Sequence, residues 1–217
     1  MERKFVYEMV IQALKDHERW LKKQGGKRAV LRNMNLRHFN LSGFNMSRVD
    51  LRGSDLTYAD LSNSKLKCAN MKGVNLSYSN LEGANLEYAN LTSAIAKCMN
   101  ANNANFSNAN LEGANLSKAD LSHACFTKAN LSKTILYCTC FSQANLYSAV
   151  LRYAIMTKTD LVGADLSYTI LTKAKIDNAD LYETDLSCAN LDKAECSNVR
   201  LDLCKNFDMN CYSSYQS

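Results

Sequence analysis

The stretch Ala84-Asn85-Leu86-Glu87-Tyr88-Ala89-Asn90-Leu91-Thr92-Ser93 repeats itself after five residues, and Ala114-Asn115-Leu116-Ser117-Lys118 repeats it again in the same phase. With the leucine taken as the centre of each unit, centres fall on every fifth residue from Leu31 to Leu201, 35 in succession with no insertion. Of these, 25 are Leu, seven are Met, Ile or Phe, and three (Ala96, Ala101, Cys196) are small. Two residues before each centre lies a second restricted position, which is Ala in 20 of the 35 units and otherwise mostly Ser, Thr or Val. A period of five fits neither an α-helix nor a flat strand. A short, strict period describes a solenoid, in which each unit buries its apolar side chains only by stacking on its neighbours.

Glycine supports the phase independently. Apart from Gly25-Gly26, all six glycines (43, 53, 73, 83, 113, 163) lie two residues after a centre, and six Asn share that position. A corner that requires φ > 0 there, as in a type II turn, accounts for both preferences. The Asn or Asp just before most centres is expected to bond nearby backbone at the corner.

From Ala29 to about Asp202 these A(D/N)LXX units resemble the pentapeptide-repeat family. The resemblance implies an all-β solenoid: a right-handed, quadrilateral parallel β-helix with four pentapeptides per coil. The centre and the Ala-type position would point inward and the other three outward, giving about nine coils over residues 29–203. Some members of the family resemble B-form DNA in shape and charge and bind type II topoisomerases such as gyrase, with an acidic surface as the functional feature.

Around this rod, residues 1–28 read as an N-terminal α-helical cap and residues 204–217 as a C-terminal cap or tail. Over residues 3–24, Phe5, Val6, Met9, Val10, Ala13, Leu14 and Leu21 recur at helical spacing with Trp20 at the edge, and Gly25-Gly26 stop the helix. Met34, Phe39 and Phe44 replace the small inner residues of the first coil and are expected to meet that helix. At the other end Phe207, Met209, Cys211, Tyr212 and Tyr215 would form a plug or a dimer face.

Composition narrows the function. No apolar run approaches the ~20 residues of a membrane span. Nine cysteines, an odd number, with no apolar leader suit free thiols in a reducing cytosol. No structural disulfide, metal or cofactor is expected, since Cys138-x-Cys140 lacks zinc spacing and the three histidines (17, 38, 123) form no triad with other residues. An enzyme is not indicated. Net charge is +5, but residues 1–52 hold 12 Lys/Arg against five acids while residues 160–217 hold five against ten. That end-to-end polarity is not the uniformly basic surface of a nucleic-acid binder, and direct nucleic-acid binding is not expected.

A twenty-residue coil would stack positions that differ by 20 into columns. One face then collects Asp60, Glu82, Asp120, Asp160, Asp180, Glu183 and Asp202 against Arg200. Another carries Arg32, Arg52, Lys72, Lys133, Arg152, Lys173 and Lys193 against Asp50, Glu112 and Asp192. A further feature departs from the repeat: the corner position, normally Asn or Asp, is Ile135, Val150, Ile155 and Ile170, with Tyr137 and Tyr153 beside them. Losing four polar corner residues together marks a candidate partner-binding patch. The function expected is therefore a non-catalytic protein-interaction scaffold with a protein partner, either a different protein or a second rod pairing side by side. The alternative is a DNA mimic that binds a type II topoisomerase through the acidic face, although this chain carries a positive net charge and no loop insertions.

Overall fold

The computed structural model describes residues 2–206; the aromatic and cysteine side chains proposed as a C-terminal plug, Phe207 to Tyr215, lie outside them. Helix α1 spans Glu2–Leu21. Beyond it the backbone forms a ladder of parallel bridges, each joining a residue to the one twenty further on, from Val30↔Asp50 to Asp185↔Lys205. Twenty residues are four pentapeptides, so one coil has four sides and each bridge is an isolated contact. Among the described residues no long strands form, because the chain turns after every bridge.

The pentapeptide accounts for this geometry position by position. The centre is buried almost without exception, with Leu36, Leu76, Leu121 and Leu166 at 0% exposure. Its amide donates to the carbonyl of the corner residue one coil ahead, as in Leu116 N to Ile135 O at 2.8 Å. The residue two after the centre has positive φ throughout, between 52° and 69° from Asn33 to Leu203. Glycine is favoured there, and at Gly53 a Cβ would also collide with the Asn33 amide one coil below. The corner Asn or Asp accepts the amide two residues on: Ser117 N lies 3.1 Å from Asn115 Oδ1, and the Ser117 hydroxyl donates to the same oxygen at 2.7 Å. These are Asx turns, which replace backbone pairing at a bend.

Core volume is exchanged within layers. Phe106 and Phe126 stack at 4.7 Å, and Phe141 meets Phe126 edge-on at 5.4 Å, near the coil whose centres Ala96 and Ala101 are small. Toward the C-terminal end a wholly apolar cavity of about 10 Å³ lies between centres that include Met156, Leu166 and Ile176. It is barely large enough for one water and offers no polar partner.

α1 packs against the first coil, but its buried stripe differs from the expected one. Phe5 and Met9 face outward at 68% and 47% exposure, whereas Val10, Leu14 and His17 are fully covered and Val6, Tyr7 and Ile11 partly so. The stripe is rotated because Tyr7 sits on Phe39, rings 5.0 Å apart and nearly perpendicular, with its hydroxyl donating to Asn40 O. Met34 and Phe44 are partly buried and pack against the core of the rod.

His17 ties the helix to the rod. Its Nδ1 accepts Ala29 N–H at 3.0 Å, so Nε2 carries the proton and donates to Ser47 O at 2.9 Å. Trp20 stacks on the ring at 5.4 Å. Burial holds His17 below its ordinary pKa; the Ser47 carbonyl opposes the shift, Arg28 adds to it and Glu18 opposes it. A histidine depressed in the fold contributes stability above its unfolded pKa, and that stability is lost as pH falls through the folded one. Docking of α1 should therefore be complete above about pH 6.5 and weaken below it. Fluorescence of Trp20, the single tryptophan, should report an acid transition that His17→Gln abolishes. A transition unchanged in that variant would mean that the His17 clasp does not control docking.

Candidate functional site

The four ladders define four walls, and each proposed site residue can be placed on one. Ile135 bridges Ile155 on the ladder that begins at Asn35, and Val150 bridges Ile170 on the ladder that begins at Val30. These two walls adjoin, so the four aliphatic residues lie as two stacked pairs on neighbouring walls. Their backbones remain fully engaged: Ile135 N donates to Ala114 O at 2.9 Å, and Ile170 N donates to Ala149 O at 3.0 Å. Ile135 and Ile155 are 36% and 39% exposed, while Val150 and Ile170 are half-buried. The aliphatic groups form a floor rather than a set of protruding knobs.

Behind that floor two pentapeptides invert their usual polarity. At Thr134-Ile135 and Thr169-Ile170 the hydroxyl points in and the alkyl group out, where the consensus has Ala in and Asn out. The threonine hydroxyls are satisfied by the carbonyls three residues back, Thr134 Oγ1 to Leu131 O at 2.7 Å and Thr169 Oγ1 to Leu166 O at 2.6 Å. A polar group buried behind the wall is thus paired, and the outward isoleucine is not a register slip.

Tyr137 and Tyr153 flank the floor, each with an ammonium over its ring: Lys158 Nζ lies 6.0 Å from the Tyr137 centroid and Lys173 Nζ 5.3 Å from that of Tyr153. This pairing was not legible beforehand, although the i+20 and i+21 spacings of the two pairs contain it. From Asn115 to Lys173 the outward positions of these two walls hold Lys118, Lys133, Arg152, Lys158 and Lys173 and no carboxylate. Lys133 reaches down to Glu112 at 2.8 Å, which raises its pKa, chiefly through that hydrogen bond.

The acidic residues also share a wall. One ladder runs Asn40, Asp60, Asn80, Asn100, Asp120, Cys140, Asp160, Asp180, Arg200, with Glu82, Glu183 and Asp202 on the same side. Its carboxylates are committed to the turns: Asp60, Asp120, Asp160 and Asp180 each accept the amide two residues on at 3.0 Å. Arg200 pairs with both Asp180 and Asp202 at 3.3 and 2.9 Å. On the basic wall Asp50, nearly buried, takes Arg52 and Arg32 at 2.9 and 2.6 Å. The Arg52 hydrogen bond holds its carboxyl far below the usual range, with Arg32 assisting against burial.

Among the described residues no group of three or more His, Cys, Asp or Glu could hold a metal, and Cys68, Cys98, Cys125, Cys138, Cys140, Cys188 and Cys204 are free thiols. No helix among them is long and apolar enough to cross a membrane. The coils and the walled surface together define a repeat solenoid whose outward side chains carry its chemistry. The profile of the pentapeptide repeats matches in eight copies over residues 29–67, 69–108, 100–136, 139–167 and 169–205, and the chain belongs to the pentapeptide repeat family.

Several solved structures are similar. HetL, a pentapeptide repeat protein involved in heterocyst differentiation regulation in the cyanobacterium Nostoc sp. strain PCC 7120, is 26% identical, covering 80% of this chain and 90% of its own, with a TM-score of 0.45. Full-length QnrB1, a plasmid-mediated fluoroquinolone resistance protein, is 18% identical over 84% of this chain and 87% of its own, with a TM-score of 0.39. A pentapeptide repeat protein of the Arabidopsis thaliana thylakoid lumen is 23% identical over 61% of this chain and 68% of its own, at a TM-score of 0.26. Comparison with curated proteins finds no match.

Proposed function

We propose that this chain is a non-catalytic protein-interaction scaffold of the cytosol. In this reading residues 29–203 form a right-handed, four-sided rod of about nine coils, residues 1–28 cap one end and residues 204–217 are a C-terminal cap or tail. The observation that carries the reading is the joint loss of polar corner residues at Ile135, Val150, Ile155 and Ile170 on two adjoining walls, with Tyr137 and Tyr153 beside them. Asx turns cost nothing to keep, so giving up four in one place favours a covered surface over a bare wall. Changing Ile135, Ile155 and Ile170 together to Asn restores the repeat consensus. That variant should fold with a stability within about 1 kcal/mol of the parent, yet lose the proteins that co-purify with it from source cells. If both its partners and its solution mass match the parent, the patch is only part of the wall.

The shared wall that carries Asp60, Asp120, Asp160 and Asp180, with Asn80, Asn100 and Cys140 between them on the ladder, favours a second reading, a DNA mimic directed at a type II topoisomerase. Under that reading the full chain should inhibit or protect gyrase supercoiling, and reversing Asp120, Glu82 and Glu183 to Lys should abolish the effect. No effect of the parent at stoichiometric excess removes it.

A further inference from the structure

The scaffold reading leaves open what covers the corner, and the chemistry of its rim narrows the choice. Five cations surround the aliphatic floor, of which Lys133 is paired with Glu112 just below it, and no carboxylate lies on the same two walls between Asn115 and Lys173. A second copy docking through the same corner would bring one cationic rim against another, because a two-fold contact uses the same patch on both copies. Like charges so placed oppose association. A bilayer is a poor fit as well: Ile135 and Ile155 are more than half covered by their own wall and do not protrude, whereas membrane anchoring needs apolar groups that reach below the headgroups. Single-stranded nucleic acid binds by stacking bases on aromatic faces, and here Lys158 and Lys173 occupy faces of Tyr137 and Tyr153. An acidic polypeptide meets both requirements. Its aliphatic side chains fill the floor between the stacked coils and its carboxylates meet the surrounding ammonium and guanidinium groups.

We propose that the corner formed by Ile135, Val150, Ile155 and Ile170, ringed by Lys118, Lys133, Arg152, Lys158 and Lys173, docks an acidic polypeptide segment bearing aliphatic side chains. This rests on the scaffold reading and adds the chemistry of the partner.

The test uses the full chain and a fluorescein-labelled peptide of alternating Glu and Leu, titrated by anisotropy, with a Lys-Leu peptide of the same length as control. The Glu-Leu peptide should bind saturably and weaken as salt shortens the screening length. The variant Arg152→Glu/Lys158→Glu/Lys173→Glu should bind it at least about tenfold more weakly, and so should Ile135→Asn/Ile155→Asn/Ile170→Asn. Lys72→Glu, on the same wall but lower on the rod, should bind as the parent does. Unchanged binding in the charge-reversed variant, with loss in the Asn variant, overturns the acidic assignment but leaves the scaffold standing. Unchanged binding in both overturns the two together. Equal binding of the Lys-Leu peptide, or capture of oligothymidine or phosphatidylserine vesicles that the same substitutions abolish, also overturns the proposal.

Discussion

Leu116→Asp should abolish cooperative folding of the rod. Leu116 is 1% exposed and is one of the four centres that fill its layer. A carboxylate there has no cation within the apolar interior, so it must either be buried unpaired or protonated, and either costs several kcal/mol. The effect is amplified by connectivity. Leu116 N donates to Ile135 O and Ile135 N to Ala114 O, and each coil is held only by the coils above and below it. A break in one layer therefore separates the rod into two shorter stacks with newly exposed edges. Urea titration followed by circular dichroism should show loss of the single transition or a large fall in its midpoint. A variant that melts with the parent would place Leu116 outside the core.

Phe126→Ala is expected to have the next largest effect, about 3–5 kcal/mol. Its ring is sandwiched in the interior between parallel contact with Phe106 at 4.7 Å and the edge of Phe141 at 5.4 Å. Truncation removes both contacts and leaves a void that neighbouring coils cannot close, since their spacing is set by backbone bridges. Phe126→Leu should cost markedly less, because Leu is the residue that 25 of the 35 centres already carry. The pair of chemical melts decides the matter. Equal destabilisation by Leu and Ala would show that the aromatic contacts, not the filled volume, hold this layer.

Much of the rod could be read from residues because its rules are local. The five-residue beat assigned the inward positions, the placement of Gly and Asn assigned the positive-φ corner, and Asn115 shows the expected Asx bond. The acidic and basic walls and the aliphatic corner followed once the family resemblance supplied a coil of four pentapeptides, the spacing the bridges show. What was not legible depends on contact between elements. Periodicity of 3.6 allows two overlapping faces on a short amphipathic helix, and only the seat of Tyr7 on Phe39 and the clasp of His17 select the observed one over the face holding Phe5 and Met9. At the corner, the substitution pattern marked Ile135 and Ile170. The inverted Thr-Ile polarity and the ammonium groups over Tyr137 and Tyr153 required knowing where each hydroxyl and lysine tip comes to rest. Tyrosine also tolerates the positive-φ corner more often than propensity suggests, as at Tyr58 and Tyr78, where it stacks in register with His38.

The twenty-residue bridge also dictates how such a chain can change length over generations. Loss or duplication of twenty residues shortens or lengthens the rod and leaves every column aligned. Loss of five residues keeps the beat intact, yet it turns everything downstream by a quarter. A five-residue deletion between Asn115 and Ile135 would leave Ile135 bridging one wall away from its present ladder and would carry Lys158 with it, while Lys118 stayed behind. Sequences that differ by whole coils can thus retain the same surface, whereas those that differ by single pentapeptides present a different one on the same core.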